Sequence, residues 1–251
     1  IAGGRPPDII GLYAFNVPPY AEMGAIRSME ELATSAGLSL DNYAPGVRKV
    51  MQFRGGWWAV VNTAGSVALY YNRNAFRSCG LNADIPPRTI AELDAMHKRL
   101  LRTSNDGSLE RVGFLHREPG WWSWLWAYHF GGRIFDETSG QATCDSPENI
   151  QAMEWMQSYV RDLGADRLKR FADSFGNYFT PENPFLTGKV AMIVQGPWIA
   201  NLIKAFSPDF DYGVAPFPTV DGTSTESPVG FIDTDVLVIP KGSRHPEAAM
   251  E

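Results

Sequence analysis

Apolar and polar positions along this chain follow two periods, and they alternate from one segment to the next. Residues 190–194, Val-Ala-Met-Ile-Val, make a continuous apolar run of strand length. The run stops at Gly196-Pro197, and a helix opens behind it with Trp198 on its first turn. Shorter strand-like runs are predicted at 8–13, 57–61, 67–71, 112–116, 212–215 and 229–239. Helical spacing is clearest from Thr89, where Thr89-Ile-Ala-Glu92 reads as a capping box ahead of Leu93, Met96, Leu100 and Leu101. Ser146-Pro147-Glu148 opens a second helix, with Ser146 as cap, Pro147 at its first position and a body through residue 160. Further helices are predicted at 20–26, 28–36, 41–50 behind Asp41, 72–79 ahead of Gly80, 120–130 ahead of Gly131-Gly132, and 180–188.

This alternation sets the class as α/β. Residues 62–67 and 216–228 read as crossings between two lobes and not as hairpins. The expected division is 1–66 in a first lobe, 67–216 in a second, and 217–251 returning to the first. The length of 251 residues suits one large domain or two modest ones.

Composition narrows the function. A net charge of −6, with no lysine- or arginine-rich run, argues against nucleic acid and against anionic membranes. Cys79 and Cys144 lie outside any metal-ligand or redox spacing and read as two separate buried thiols. His97, His116, His129 and His245 show no ligand spacing and read as structural or surface residues. No metal and no cofactor are expected. The chain opens almost directly into a strand and stops inside a starting helix at Pro246, so it reads as a fragment of a longer protein.

The composition is high in Trp, and four of the eight fall in Glu118-Pro-Gly-Trp-Trp-Ser-Trp-Leu-Trp126. Aromatic rings beside a carboxylate suit sugars, which present apolar C–H faces rimmed by hydroxyls. On a helix from Gly120, Trp122 and Trp126 share one face while Trp121 and Trp124 share another. Trp121 and Trp122, beside Glu118, are the ligand candidates; Trp124 and Trp126 read as core. Glu118 is placed to accept two hydroxyls in charge-assisted hydrogen bonds, or else is a solvated carboxylate at a helix entry. Trp57, Trp58 and Asn62 precede the first crossing, and the alternation of a strand lets at most one of the two Trp face a ligand. Asp233 and Asp235 stand before the last strand as further hydrogen-bonding candidates.

Several blocks recur in order along nearly the whole chain: Pro7-Asp8, Ala68-Leu-Tyr-Tyr-Asn-Arg-Asn-Ala-Phe76, Pro86-Pro-Arg-Thr-Ile-Ala-Glu-Leu93, Gly131-Gly132, Phe185 to Trp198, Tyr212-Gly-Val-Ala-Pro216, and Ile239-Pro-Lys-Gly-Ser-Arg-His-Pro-Glu-Ala-Ala249. In these the chain resembles the extracellular sugar-binding proteins of bacterial ABC importers, the group that includes maltose-binding protein. The resemblance implies a two-lobed periplasmic-binding-protein fold of type II that lacks both ends here. It also implies a monomer that closes on a sugar or oligosaccharide by hinge bending and delivers it to the ABC permease subunits. The implied location is the periplasm, or the cell exterior as a membrane-anchored lipoprotein. Trp198 lies where such proteins place a sugar-stacking ring, and Gly196 would admit the ligand close to the backbone. Tyr13 and Asn16, with Phe15, follow the first strand where first-lobe contacts are placed.

Two alternatives stay open. A glycerol-phosphate-type polyol would need a cationic cradle, and Arg73 sits in a motif that reads as structural. A glycoside hydrolase would need two carboxylates at a fixed separation, and Glu118 with Asp233 or Asp235 is the pair available. No Gly-x-Ser-x-Gly, His-Glu-x-x-His or glycine-rich nucleotide loop is present, so a binding protein and not an enzyme is expected.

Overall fold

The computed structural model describes residues 4–136, 138–223 and 229–251. The chain begins with β1 (Ile10–Tyr13), a 3-10 turn at Ala14–Asn16 and α1 (Val17–Glu22), whose first turn carries Pro18 and Pro19. Then come α2 (Glu30–Ser35), α3 (Pro45–Met51), the two-residue strands β2 (Gln52–Phe53) and β3 (Gly56–Trp57), and β4 (Val60–Ser66). Helix α3 starts later than expected. Asp41 lies in a 3-10 turn capped by Ser39, and Pro45, which suits a first helical position, sets the start.

The second compact unit opens with β5 (Ala68–Asn72), α4 (Arg73–Ser78), α5 (Ile90–Leu100), β6 (Arg102–Thr103) and β7 (Leu109–Phe114). It continues with α6 (Trp126–His129), β8 (Phe135–Asp136), β9 (Gln141–Ala142), α7 (Pro147–Leu163) and α8 (Ala165–Asp173). It ends with β10 (Val190–Gln195), α9 (Trp198–Phe206) and β11 (Tyr212–Ala215), after which β12 (Ile232–Val238) returns to the first unit.

The first unit, Ile1–Gly65 with Ile232–Glu251, holds a sheet ordered β1-β12-β4. β1 pairs antiparallel with β12, with Tyr13 opposite Asp235. The second unit, Ser66–Phe231, holds a sheet ordered β11-β5-β10-β7-β6. Its centre is β10, buried at all six positions. Ala191 and Val194 join one apolar cluster with Phe114, Trp126 and Trp155; Val190 and Ile193 join another with Leu168, Phe171 and Ile199. A strand covered on both faces needs the unbroken apolar run seen in the sequence.

The capping signals act locally. Thr89 Oγ1 accepts from Glu92 N at 3.0 Å, while Glu92 Oε2 accepts from Arg88 N at 2.7 Å, one residue beyond the partner of the usual box. Ser146 Oγ accepts from Asn149 N, and α7 runs three residues past the expected end, to Leu163, with Gly164 behind it.

Three expectations are corrected. The second lobe, expected to end at 216 before a crossing at 216–228, runs as a compact unit to Phe231: Phe217 packs against Phe114, Trp126 and His129 at 4.6–5.6 Å, and Thr219 O accepts from Ile90 N. Positions 224–228 lie outside the described residues. The units divide between Gly65 and Ser66, inside the stretch 62–67, and strand β4 carries the chain through it. Residues 180–188 form turns and no helix: Asn183 Oδ1 accepts from Phe185 N and Leu186 N, substituting a side chain for the helical bonding pattern. Cys144 is exposed, and Cys79 is half-buried with Arg111 Nη2 3.0 Å from its sulfur; both are free thiols. The histidines 97, 116 and 129 are buried, and His97 Nδ1 accepts from Phe114 N.

Candidate functional site

β7 and β10 run parallel, with Val112 beside Val190 and Phe114 beside Met192, so their C-terminal ends reach the same edge of the sheet. Ligand-contacting loops of α/β sheets leave from such edges. Behind β7 the chain passes His116, Arg117 and Glu118, then a cis peptide to Pro119 and Gly120. Gly120 has φ +82°, and a Cβ there would lie 2.8 Å from the Arg117 carbonyl oxygen, so the turn requires glycine. It aims Trp121 and Trp122 back over the strand ends. Behind β10, Gln195-Gly196-Pro197 leads to Trp198 at the start of α9.

The rings from these two connections meet. Trp122 lies 6.0 Å and Trp121 6.4 Å from Trp198, centroid to centroid, and Trp121 lies 5.5 Å from Trp122. The loop behind α8 adds Tyr178, 4.9 Å from Trp121, and Phe179, 6.5 Å from it. Phe231 closes the other side, 6.3 Å from Trp122 and 4.8 Å from Trp124. Trp121 is 46% exposed, whereas Trp122 is buried and Trp198 half-buried. The result is an aromatic surface with open ring area, resting on the core through Trp122.

Glu118 sits half-buried at its margin. Among the described residues its carboxylate has no hydrogen-bond or ion-pair partner, and burial pushes its pKa up to about 7. Tyr178 faces the same carboxyl group, and burial raises the pKa of its phenol first of all, with Glu118 adding to the rise. A small hollow beneath the rings is bounded by His116, Glu118, Trp121, Trp122 and Trp126. A half-buried, unpaired carboxyl beside open rings is suited to hydroxyl donors. Arg73, the cation weighed for a phosphate, is bound 3.7 Å from both Asp84 and Asp211 on another part of the unit. Among the described residues, no group of His, Cys, Asp or Glu is arranged to hold a metal.

The structure therefore brings together Glu118, Trp121, Trp122 and Trp198. Gly196 has a different role from the one expected. A Cβ on it would lie 2.1 Å from the Trp198 ring, so the glycine makes room for the indole and not for a ligand. The expected helix at 120–130 is a 3-10 turn at Ser123–Leu125 followed by the single turn α6, so the helical sharing of faces does not hold. Trp126 is core, but Trp124 is 38% exposed against Phe231. Tyr178, Phe179, Gln195 and Phe231 were not singled out from sequence. The adjacent pair Tyr178-Phe179 in a polar loop was the available signal.

The first-unit candidates separate. Tyr13 and Phe15 are exposed and stacked, with centroids 5.6 Å apart and planes 10° off parallel. Asn16 is half-buried in the 3-10 turn and Asn62 is exposed on β4. Asp233 is half-buried and its pKa is raised, by burial first and then by Asp235, whose carboxylate accepts from Thr63 Oγ1 at 3.1 Å. Trp57 is a correction: it is 5% exposed in the core with Met29 and Met51, and its Nε1–H is donated to Ala59 O at 2.7 Å. Trp58 donates its own to Phe53 O. Glu118 and the Asp233–Asp235 pair stand in different units.

Comparison with known proteins agrees with this architecture. The maltotriose-binding protein of Pyrococcus abyssi is 26% identical over 221 residues, 88% of this chain and 44% of that protein. The sn-glycerol-3-phosphate-binding periplasmic protein UgpB of Rhizobium meliloti is 23% identical over 236 residues, covering 90% and 52%. The solved structure of CpMnBP1 with mannobiose bound superposes with a TM-score of 0.86 at 29% identity, over 99% of this chain and 62% of that one. The chain thus spans about half the length of these curated relatives. The fold is that of the type II periplasmic binding proteins. Residues 1–251 match the family model described as bacterial extracellular solute-binding protein, and the chain belongs to that family.

Proposed function

We propose that the chain is part of the substrate-binding component of an ABC importer, and that it captures a neutral sugar or oligosaccharide for the membrane permease outside the cytoplasm. The observation that carries this reading is the convergence of Trp121, Trp122 and Trp198 at the ends of two parallel strands, beside the unpaired carboxyl of Glu118. Ring faces stack on sugar C–H surfaces, and the carboxyl accepts hydroxyl hydrogen bonds. Relatives whose names specify maltotriose and mannobiose support the same ligand class. The protein binds and releases its ligand unchanged; the role needs no catalytic group and no cofactor.

A thermal-shift screen of the full-length protein against mono-, di- and trisaccharides and glycerol phosphates tests the reading. A ligand at about 100 times its Kd stabilises the folded state by about 2.7 kcal/mol, and a neutral sugar is expected to do so. Stabilisation by glycerol phosphate alone would replace the sugar with a phosphorylated polyol. Release of reducing sugar from a bound oligosaccharide would replace binding with hydrolysis.

A further inference from the structure

Gln195 is the only polar residue of β10, and it is fully buried at the strand's end. A buried amide is costly unless its hydrogen bonds are made. Its Oε1 accepts from Trp198 Nε1 at 3.2 Å, across the turn that links β10 to α9. Next to it, Gly196 leaves the space that the Trp198 ring occupies. The indole is thus folded back over the strand end, held at its edge by the amide and along its face by a position without a Cβ. Its N–H is committed to the protein, which leaves ring surface and not a donor for a ligand. The Tyr178 ring packs on Trp121, 4.9 Å between centroids. Among the described residues, the Tyr178 hydroxyl and Gln195 Nε2 are enclosed without a hydrogen-bond partner, so the Trp198 indole is the one side-chain partner the Gln195 amide holds.

We propose that Gln195 is the positioning residue of the aromatic surface: its amide fixes Trp198, and through that ring Trp121, in the arrangement a sugar meets. The proposal rests on the sugar-binding reading and names the residue that pre-organises the site without touching ligand. A ring held in its bound rotamer before the sugar arrives is not ordered at the sugar's expense, which is worth roughly a fivefold to tenfold gain in affinity.

The test uses the full-length protein with ¹⁵N-labelled Trp, the Trp198 indole signal being assigned by its loss in Trp198→Phe. In the ligand-free wild type that N–H is expected to exchange slowly with solvent. Gln195→Met keeps the length of the side chain and removes the acceptor. It is expected to speed the exchange and to weaken sugar binding by roughly five- to tenfold. In the Trp198→Phe background the same substitution should change affinity by less than about twofold, because the amide acts through that ring. Additive effects of the two substitutions on sugar affinity, with normal binding by the wild type, would overturn the positioning role alone. Unprotected exchange of the wild-type indole would overturn it as well, even if Gln195→Met failed to fold. Failure of the wild type to bind any sugar would overturn the sugar reading and this proposal with it.

Discussion

The chain contains two adjacent tryptophan pairs, Trp57-Trp58 and Trp121-Trp122, and they meet opposite fates. The first pair borders a tight hairpin in which Gln52 faces Trp57. Both of its indole N–H groups are donated to nearby carbonyl oxygens, Ala59 and Phe53, and Trp57 is sealed in the core. The second pair follows a turn forced by Gly120 and leaves Trp121 nearly half exposed on top of Trp122. The same dipeptide is structural where the backbone around it closes its hydrogen bonds. It becomes open aromatic surface, the proposed sugar site, where the backbone leaves the sheet edge and a third ring, Trp198, arrives from the neighbouring strand.

Substitutions sharpen that contrast. Trp57→Ala is expected to destabilise the protein by about 3–5 kcal/mol, the cost of truncating a buried aromatic, as measured by denaturant unfolding. Trp121→Ala should cost much less stability but about 2 kcal/mol of sugar affinity, in the range of an exposed ring that anchors a ligand. Equal losses of stability from the two would erase the distinction.

Glu118 gives a smaller, pH-dependent effect. Its ordinary pKa is 4.5 and burial raises it to about 7 in the folded state. The folded protein therefore holds that proton more tightly than the unfolded chain. Stability from this group is full below pH 4.5 and is lost as the pH rises from 4.5 to 7. Glu118→Gln removes the loss, so it should be near neutral at pH 4 and stabilising above pH 7, by on the order of 1–2 kcal/mol after allowance for partial solvent access. Denaturant midpoints at pH 4 and pH 8 check this, and an equal effect at both would contradict it.

How far these roles could be read in advance depended on whether they were set locally. β10, the Thr89 cap and the Ser146-Pro147 start each follow from a few adjacent residues, and each forms. The aromatics around Glu118 were legible as chemistry but not as geometry. A positive-φ glycine and a 3-10 turn replaced the expected helix, so Trp124 emerged from the core. Tyr178 and Phe179 reach the surface through a loop organised by the buried Asn183, which donates to Tyr178 O at 2.8 Å. Such tertiary placement leaves no periodic trace. Gly196 stands out in the sequence beside Pro197, but the ring its missing side chain admits is set by tertiary packing and is not legible there.

The central claim is that the rings of the second unit are where sugar binds, and calorimetric titration of the full-length protein and its Trp198→Ala variant tests it most directly. With a neutral oligosaccharide such as mannobiose or maltotriose, the wild type should give saturable one-site binding. The variant should lose about 2 kcal/mol of affinity or more while its melting temperature stays close to that of the wild type. A variant that binds the sugar as tightly as the wild type, or that fails to bind only because it has unfolded, would contradict the account.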